Sequence, residues 1–176
     1  FGRNFTEGKF GKGLVFDGIN DYVNVTNPSS LRNNNFSIGF WIKPGTQDGA
    51  IKAPIDFSHS CCGGACYGAW AVQSEDANTN RNYYLTYNSD DDCIQFGEQP
   101  AGGEVGAGKG IQYTNDEWQY IVYTKSGTTV RGYKNGVVAW SPAAATNSNV
   151  CYPAGHDLKI GGAVNFAARH LNGVMD

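Results

Sequence analysis

The chain has 176 residues, of which 40% are hydrophobic, 13% aromatic and 16% charged, with a formal net charge of −3. That length suits one domain, residues 1–176, with a full hydrophobic core. The near-neutral balance, without a basic stripe, excludes the electrostatic footprint of a nucleic-acid binder, and no apolar run approaches the ~18–20 residues needed to span a bilayer.

Twenty-four glycines stand among short β-rich runs, and no window shows a 3.6-residue period. Leu14-Val15-Phe16 leads through the turn Asp17-Gly18-Ile19-Asn20 to a second strand over 21–25. Residues 36–42 alternate cleanly, with Phe36, Ile38, Phe40 and Ile42 on one face, until Pro44-Gly45 stops the run. Further strands are expected over 50–57, 68–74, 83–87, 93–96 and 111–113, and the Gly-rich stretch 97–110 reads as a long surface loop. From Glu117 to Lys125 a long strand is dense in aromatic and β-branched residues. Ser126-Gly127 turns it back through 129–134, and Asn135-Gly136 forms a hairpin into 137–140, because both central residues of a type I′ turn need positive φ. Many short antiparallel strands without helices must pack as a sandwich or barrel.

Five cysteines, Cys61, Cys62, Cys66, Cys93 and Cys151, cluster in polar sequence and fit an oxidising compartment. Their spacing leaves the pairing open, although a bridge from the 61–66 cluster to Cys93 joins segments that flank neighbouring strands. With His59 the cluster could also be read as a zinc site, but structural zinc asks for paired motifs that deliver four ligands. Asn4, Asn24 and Asn35 each head an Asn-x-Ser/Thr sequon and are glycosylation candidates. Together these signs place the chain outside the cell or on its surface.

Glycoside hydrolysis needs two carboxylates flanking the scissile bond, and no Glu-x-Asp-x-x-Glu-like strand occurs, so no catalytic residue is expected. Gly103 to Gly110 nearly spells a phosphate-binding loop, but Gly110 stands where the metal-binding hydroxyl belongs. Asp90-Asp91-Asp92 reads as a solvated turn, and His156 and His170 as structural. Among the aromatics, Trp70, Tyr84 and Trp140 are candidates for stacking on sugar faces, against the alternative that they fill the core and its rim.

Gly8-Lys9-Phe10-Gly11-Lys12-Gly13-Leu14-Val15-Phe16-Asp17-Gly18 followed by Asp21-Tyr22-Val23, the strand 36–44, the hairpin 117–137, Leu158-Lys159-Ile160-Gly161-Gly162 and Leu171 to Asp176 together resemble bacterial laminin-G-like, concanavalin-A-like jelly rolls. The resemblance runs in order over nearly the whole chain and implies an all-β antiparallel jelly-roll sandwich. It also implies a structural Ca²⁺ held between Asp17 and Asp176, the alternative being that Asp17 caps its own turn. Family members carry one further strand before Gly8 and another after Asp176, side by side in one sheet. Both are expected to be missing from this chain, and a sandwich lacking them would open an apolar groove at an unpaired edge, unless a longer protein supplies the two strands itself.

The chain is therefore expected to be a non-catalytic extracellular structural or adhesive module. In that reading it repeats in a surface fibre by strand addition, its partners being copies of itself or the rest of a longer chain. The alternative is a carbohydrate-binding module whose partner is a glycan.

Overall fold

The computed structural model describes residues 4–26, 29–31, 33–46, 55–56, 81–88, 93–99, 105–139, 143–144, 157–162 and 170–176. Fourteen strands follow in chain order: β1 (Phe5–Glu7), β2 (Lys12–Asp17), β3 (Val23–Val25), β4 (Phe36–Pro44), β5 (Ile55–Asp56), β6 (Arg81–Asn88), β7 (Cys93–Gln99), β8 (Val105–Gln112), β9 (Gln119–Ser126), β10 (Thr129–Lys134), β11 (Val137–Val138), β12 (Ala143–Ala144), β13 (Leu158–Ile160) and β14 (Asn172–Met175). A 3-10 turn, Ser29–Leu31, is the only helical element among the described residues.

All pairings are antiparallel. One sheet runs β1-β2-β14-β4-β9-β10-β11, with β12 also on β10, and the other runs β3-β13-β5-β6-β7-β8. This is the all-β sandwich expected from the sequence. The alternation of β4 holds as well: Phe40, Ile42 and Pro44 are buried, while Ser37 and Gly39 are exposed. Its partner β9 alternates in step, burying Gln119, Ile121, Tyr123 and Lys125, and the two run in continuous register from Phe36↔Lys125 to Ile42↔Gln119. At the β10–β11 hairpin Asn135 and Gly136 take φ of 53° and 81°, the positive pair that a type I′ turn requires.

The core lies where these strands face β6, β7 and β8. Ile42, Leu85, Ile94, Ile121, Tyr123 and Val130 are wholly buried there. The buried Tyr123 hydroxyl donates to the Ile94 carbonyl, and burial pushes its pKa well up from the ordinary phenol value. Lys125, 2% exposed, threads its stem through this layer and donates from Nζ to the Gly127 carbonyl at 2.7 Å.

Three placements differ from the sequence reading. The stretch 97–110 is not one loop: β7 runs on to Gln99 and β8 begins at Val105, the two pairing over Cys93↔Gln112 to Glu98↔Val105. Backbone ladders need no side chains, so a neighbouring strand overrides the poor strand propensity of glycine. A strand also stands before Gly8, since β1 pairs with β2 from Phe5↔Leu14 to Glu7↔Lys12. The closing segment, finally, sits in mid-sheet, with β14 between β2 and β4.

The interior is less closed at the opposite end. Trp41 exchanges both backbone hydrogen bonds with Asp176 at 3.0 Å, and there the β14 pairing stops, while β4 continues to Phe36. Every second residue of an antiparallel strand turns its N–H and C=O to the same side, so Gly39 and Ser37 continue the row that Trp41 opens toward β14. Beside it lies a groove of about 760 Å³ lined by inward apolar side chains, including Phe5, Leu14, Phe36, Ile38, Ile160 and Met175.

Candidate functional site

The outer face of the eight-stranded sheet carries an aromatic shelf. Strand alternation that sends Phe40 and Ile42 inward sends Trp41 outward, and the Trp41↔Tyr120 register puts the two rings side by side. Their centroids are 5.2 Å apart at an interplanar angle of 32°. Gly39, also outward, makes the arrangement possible: a Cβ there would sit 2.7 Å from the Tyr120 hydroxyl. The Tyr120 ring thus lies across β4 where any other residue would lift it.

Two turns complete the shelf. Before β9, the buried Gln119 amide donates to the Thr114 and Glu117 carbonyls at 2.8 and 3.1 Å and accepts from the Thr114 N–H at 2.9 Å. This fixes the approach to β9 and with it the neighbouring Trp118. On the near side, the Asp176 carboxylate accepts the Phe10 N–H at 2.7 Å, pinning the tight turn at Gly8–Gly11, where Gly11 has φ of 78°. That turn sets Phe10 edge-on to Trp41 at 5.7 Å and holds the Lys9 ammonium 5.0 Å from the Trp41 ring centroid. Lys9, Trp41, Trp118, Tyr120, Asn135 and Gly136 line a shallow depression of about 460 Å³. Asn135 is held there by its Oδ1, which accepts the Tyr120 N–H at 2.8 Å. Such a surface can stack on a flat, partly apolar ligand and offer polar groups at its rim.

Trp70 and Trp140 lie outside the described residues, as do Cys61, Cys62, Cys66 and Cys151. Tyr84 sits in β6 opposite Gly97, and Cys93 is buried at the head of β7. Asn4, Asn24 and Asn35 are exposed. The Asn24 Nδ2 donates to Asp157 at 2.8 Å, and the Asn35 Oδ1 accepts the Gly127 N–H at 2.7 Å.

Asp17 and Asp176 are not brought together. Asp17 pairs with Asn172 at one end of β14, and Asp176 meets Trp41 at the other. Four residues of strand separate them by roughly 13 Å, too far for one ion whose ligands stand about 2.3–2.6 Å away. The Asp17 Oδ1 instead accepts the N–H groups of Ile19, Asn20 and Asp21 at 2.8, 3.1 and 3.4 Å. These bonds, that from Ile19 foremost, hold its carboxyl below the usual carboxylate range against the opposing effect of burial. Among the described residues no group of three or more His, Cys, Asp or Glu side chains could hold a metal ion. His170 is buried with its Nδ1 3.3 Å from the Asp21 carbonyl and its ring 6.1 Å from Tyr22.

Sequence reading missed Trp41, Trp118, Tyr120 and Phe10. A signal was present: the same alternation that gave β4 and β9 a core face left Trp41 and Tyr120 on the side where solvent-facing residues belong.

Two stacked antiparallel sheets with an aromatic outer shelf define a lectin-like jelly-roll sandwich. The chain belongs to the concanavalin A-like lectin/glucanases superfamily, whose laminin-G family model matches residues 17–176. Among solved structures, domain 4 of a GH43 extracellular arabinanase from Geobacillus stearothermophilus, in complex with arabinotriose, superposes with a TM-score of 0.66 at 14% identity, over 98% of this chain and 71% of that one. The CBM40 of the Ruminococcus gnavus IT-sialidase, bound to α2,3-sialyllactose, gives 0.59 at 10% identity, over 93% and 86%. A native heptameric SAP-like pentraxin from Limulus polyphemus gives 0.58 at 13%, over 92% and 71%. At these identities the likeness is one of fold. No curated protein matches the chain. No helix among the described residues is long and apolar enough to cross a membrane.

Proposed function

We propose that the chain is a non-catalytic, extracellular carbohydrate-binding module that takes glycan on the outer shelf. The observation that carries this is the convergence of Trp41, Trp118 and Tyr120 from strand and turn onto one depression, with Lys9 and Asn135 at its edge. Sugar rings present flat C–H faces that stack on such rings, while their hydroxyls take hydrogen bonds from the rim. Two solved domains of the same fold, one in complex with arabinotriose and one a CBM40 bound to α2,3-sialyllactose, support the reading. Among the described residues no carboxylate lines the depression, whereas glycoside cleavage needs a pair of them. The test is affinity electrophoresis against a panel of polysaccharides. Trp41→Ala should weaken retention about tenfold or more, as for a central aromatic anchor. Unchanged retention in that variant would discard the shelf as the binding surface.

A second reading, that copies assemble by strand addition, is favoured by one observation. An apolar groove of 760 Å³ runs beside Ser37 and Gly39 of β4. An extended strand from a second copy, running antiparallel to β4, could pair with 36–40 and lay alternate apolar side chains into that groove. Light scattering and negative-stain imaging of the purified chain test it. Fibres or oligomers lost on Ile38→Asp, with circular dichroism unchanged, would support it, and a monomer at all concentrations would end it.

A further inference from the structure

We infer that the glycan taken by the shelf is anionic, bearing carboxylate or sulfate groups, and that Lys9 is the side chain that reads its charge. This rests on the proposal that the shelf binds glycan and narrows it to a class. Of the described residues that line the depression, Lys9 alone carries a charge, and it is a cation. Among the described residues it has no ion-pair partner and no hydrogen bond; its ammonium lies 5.0 Å from the Trp41 ring centroid. The Asp176 carboxylate, which accepts the Phe10 N–H at 2.7 Å, is directed at the backbone of the turn and makes no ion pair with Lys9. Lys43 adds a second cation on the same outward row of β4, two residues from Trp41, likewise without a partner among the described residues.

An ammonium resting on an exposed ring face is weakly tethered, and its attraction to a carboxylate or sulfate is the stronger, charge-assisted contact. A sugar stacked on Trp41 or Trp118 would bring an acidic substituent at its rim within reach of Lys9, which swings from ring face to anion on its four-carbon stem. The position of Lys9 is not left to chance, because the Phe10 N–H to Asp176 bond anchors the turn that presents it. The chain's formal charge of −3 disfavours indiscriminate attraction of polyanions, so any preference for them must come from a local group.

The experiment is affinity electrophoresis and calorimetry with polygalacturonate and dextran sulfate, set against neutral arabinan and xyloglucan, at two salt concentrations. At low salt at least one anionic polymer should bind about tenfold more tightly than the neutral ones, and the advantage should shrink as salt rises. Lys9→Gln should bring the ratio of anionic to neutral affinity near one, and Lys9→Arg should keep it. The carboxylated and sulfated arms identify which anion is read. Neutral polymers bound as tightly as anionic ones in a Trp41-dependent way, or a preference that survives Lys9→Gln, would overturn the charge inference and leave the shelf standing. Absence of any Trp41-dependent binding would overturn both.

Discussion

The ribbon formed by β4 and β9 carries two unlike surfaces back to back. On its inner side Phe40, Ile42, Ile121 and Tyr123 interlock with the opposite sheet and are removed from water. On its outer side Trp41 and Tyr120 present rings of similar size, yet they are only partly buried and face no opposing sheet among the described residues. The same backbone register aligns both rows, so the difference lies in what faces them. Apolar area on the inner side is removed from water by folding, whereas part of that on the outer side stays exposed. Stability and binding should therefore separate cleanly by face, and substitutions can test that separation.

The largest effect is expected on the inner side. Ile121→Ala removes a fully buried side chain from the centre of the ribbon and should cost about 2–5 kcal/mol in urea denaturation. At temperatures where the variant is folded, its affinity for polysaccharide should match the parent. Tyr123→Phe keeps the ring but withdraws the donor from the Ile94 carbonyl. A buried acceptor without its partner costs roughly 1–3 kcal/mol, again without loss of binding. If either variant that still folds loses affinity, the two faces are coupled and the division fails.

On the outer side Gly39→Ala is the sharper probe, because it touches no ligand. The added methyl would meet the Tyr120 hydroxyl 2.7 Å away, the far end of a side chain that can swing clear. Stability should change little. Retention on polysaccharide should fall about threefold to fivefold as Tyr120 leaves the shelf, equivalent to roughly 0.7–1 kcal/mol. A loss of stability with unchanged binding would show that Tyr120 is a packing residue.

The inner row was legible in sequence because it is a local pattern: residues 36–42 declare their core face by alternation alone, and Asn135-Gly136 declares its turn by the φ it demands. The shelf was not legible because it is a product of register. Trp41 and Tyr120 are 79 positions apart and become neighbours only through the pairing of β4 with β9. Lys9 and Phe10 arrive through a contact with the distant Asp176. The mid-sheet position of β14 is hidden for the same reason, since a four-residue strand, three of whose residues pair on both sides, carries no local mark of centrality. Trp70 and Trp140, named from residue type, lie outside the described residues.

Asp17 belongs to neither face and supplies the smallest expected effect, with a sign that can be worked out. Its carboxyl is held below the ordinary carboxylate range by the backbone N–H groups of Ile19, Asn20 and Asp21. A carboxyl depressed in the folded state favours folding above its unfolded pKa, about 3.9. That contribution disappears as pH falls through the lower folded value. Asp17→Asn keeps an acceptor but loses the charge that strengthens these bonds, so it should cost about 0.5 kcal/mol at pH 7 and flatten the acid limb of the stability curve near pH 4. Binding to polysaccharide should be untouched. If Asp17 holds calcium instead, a chelator would lower the melting temperature of the parent and leave that of Asp17→Asn unmoved. With a turn cap the chelator should change neither, because the oxygen a metal would need already accepts three backbone donors from its own turn.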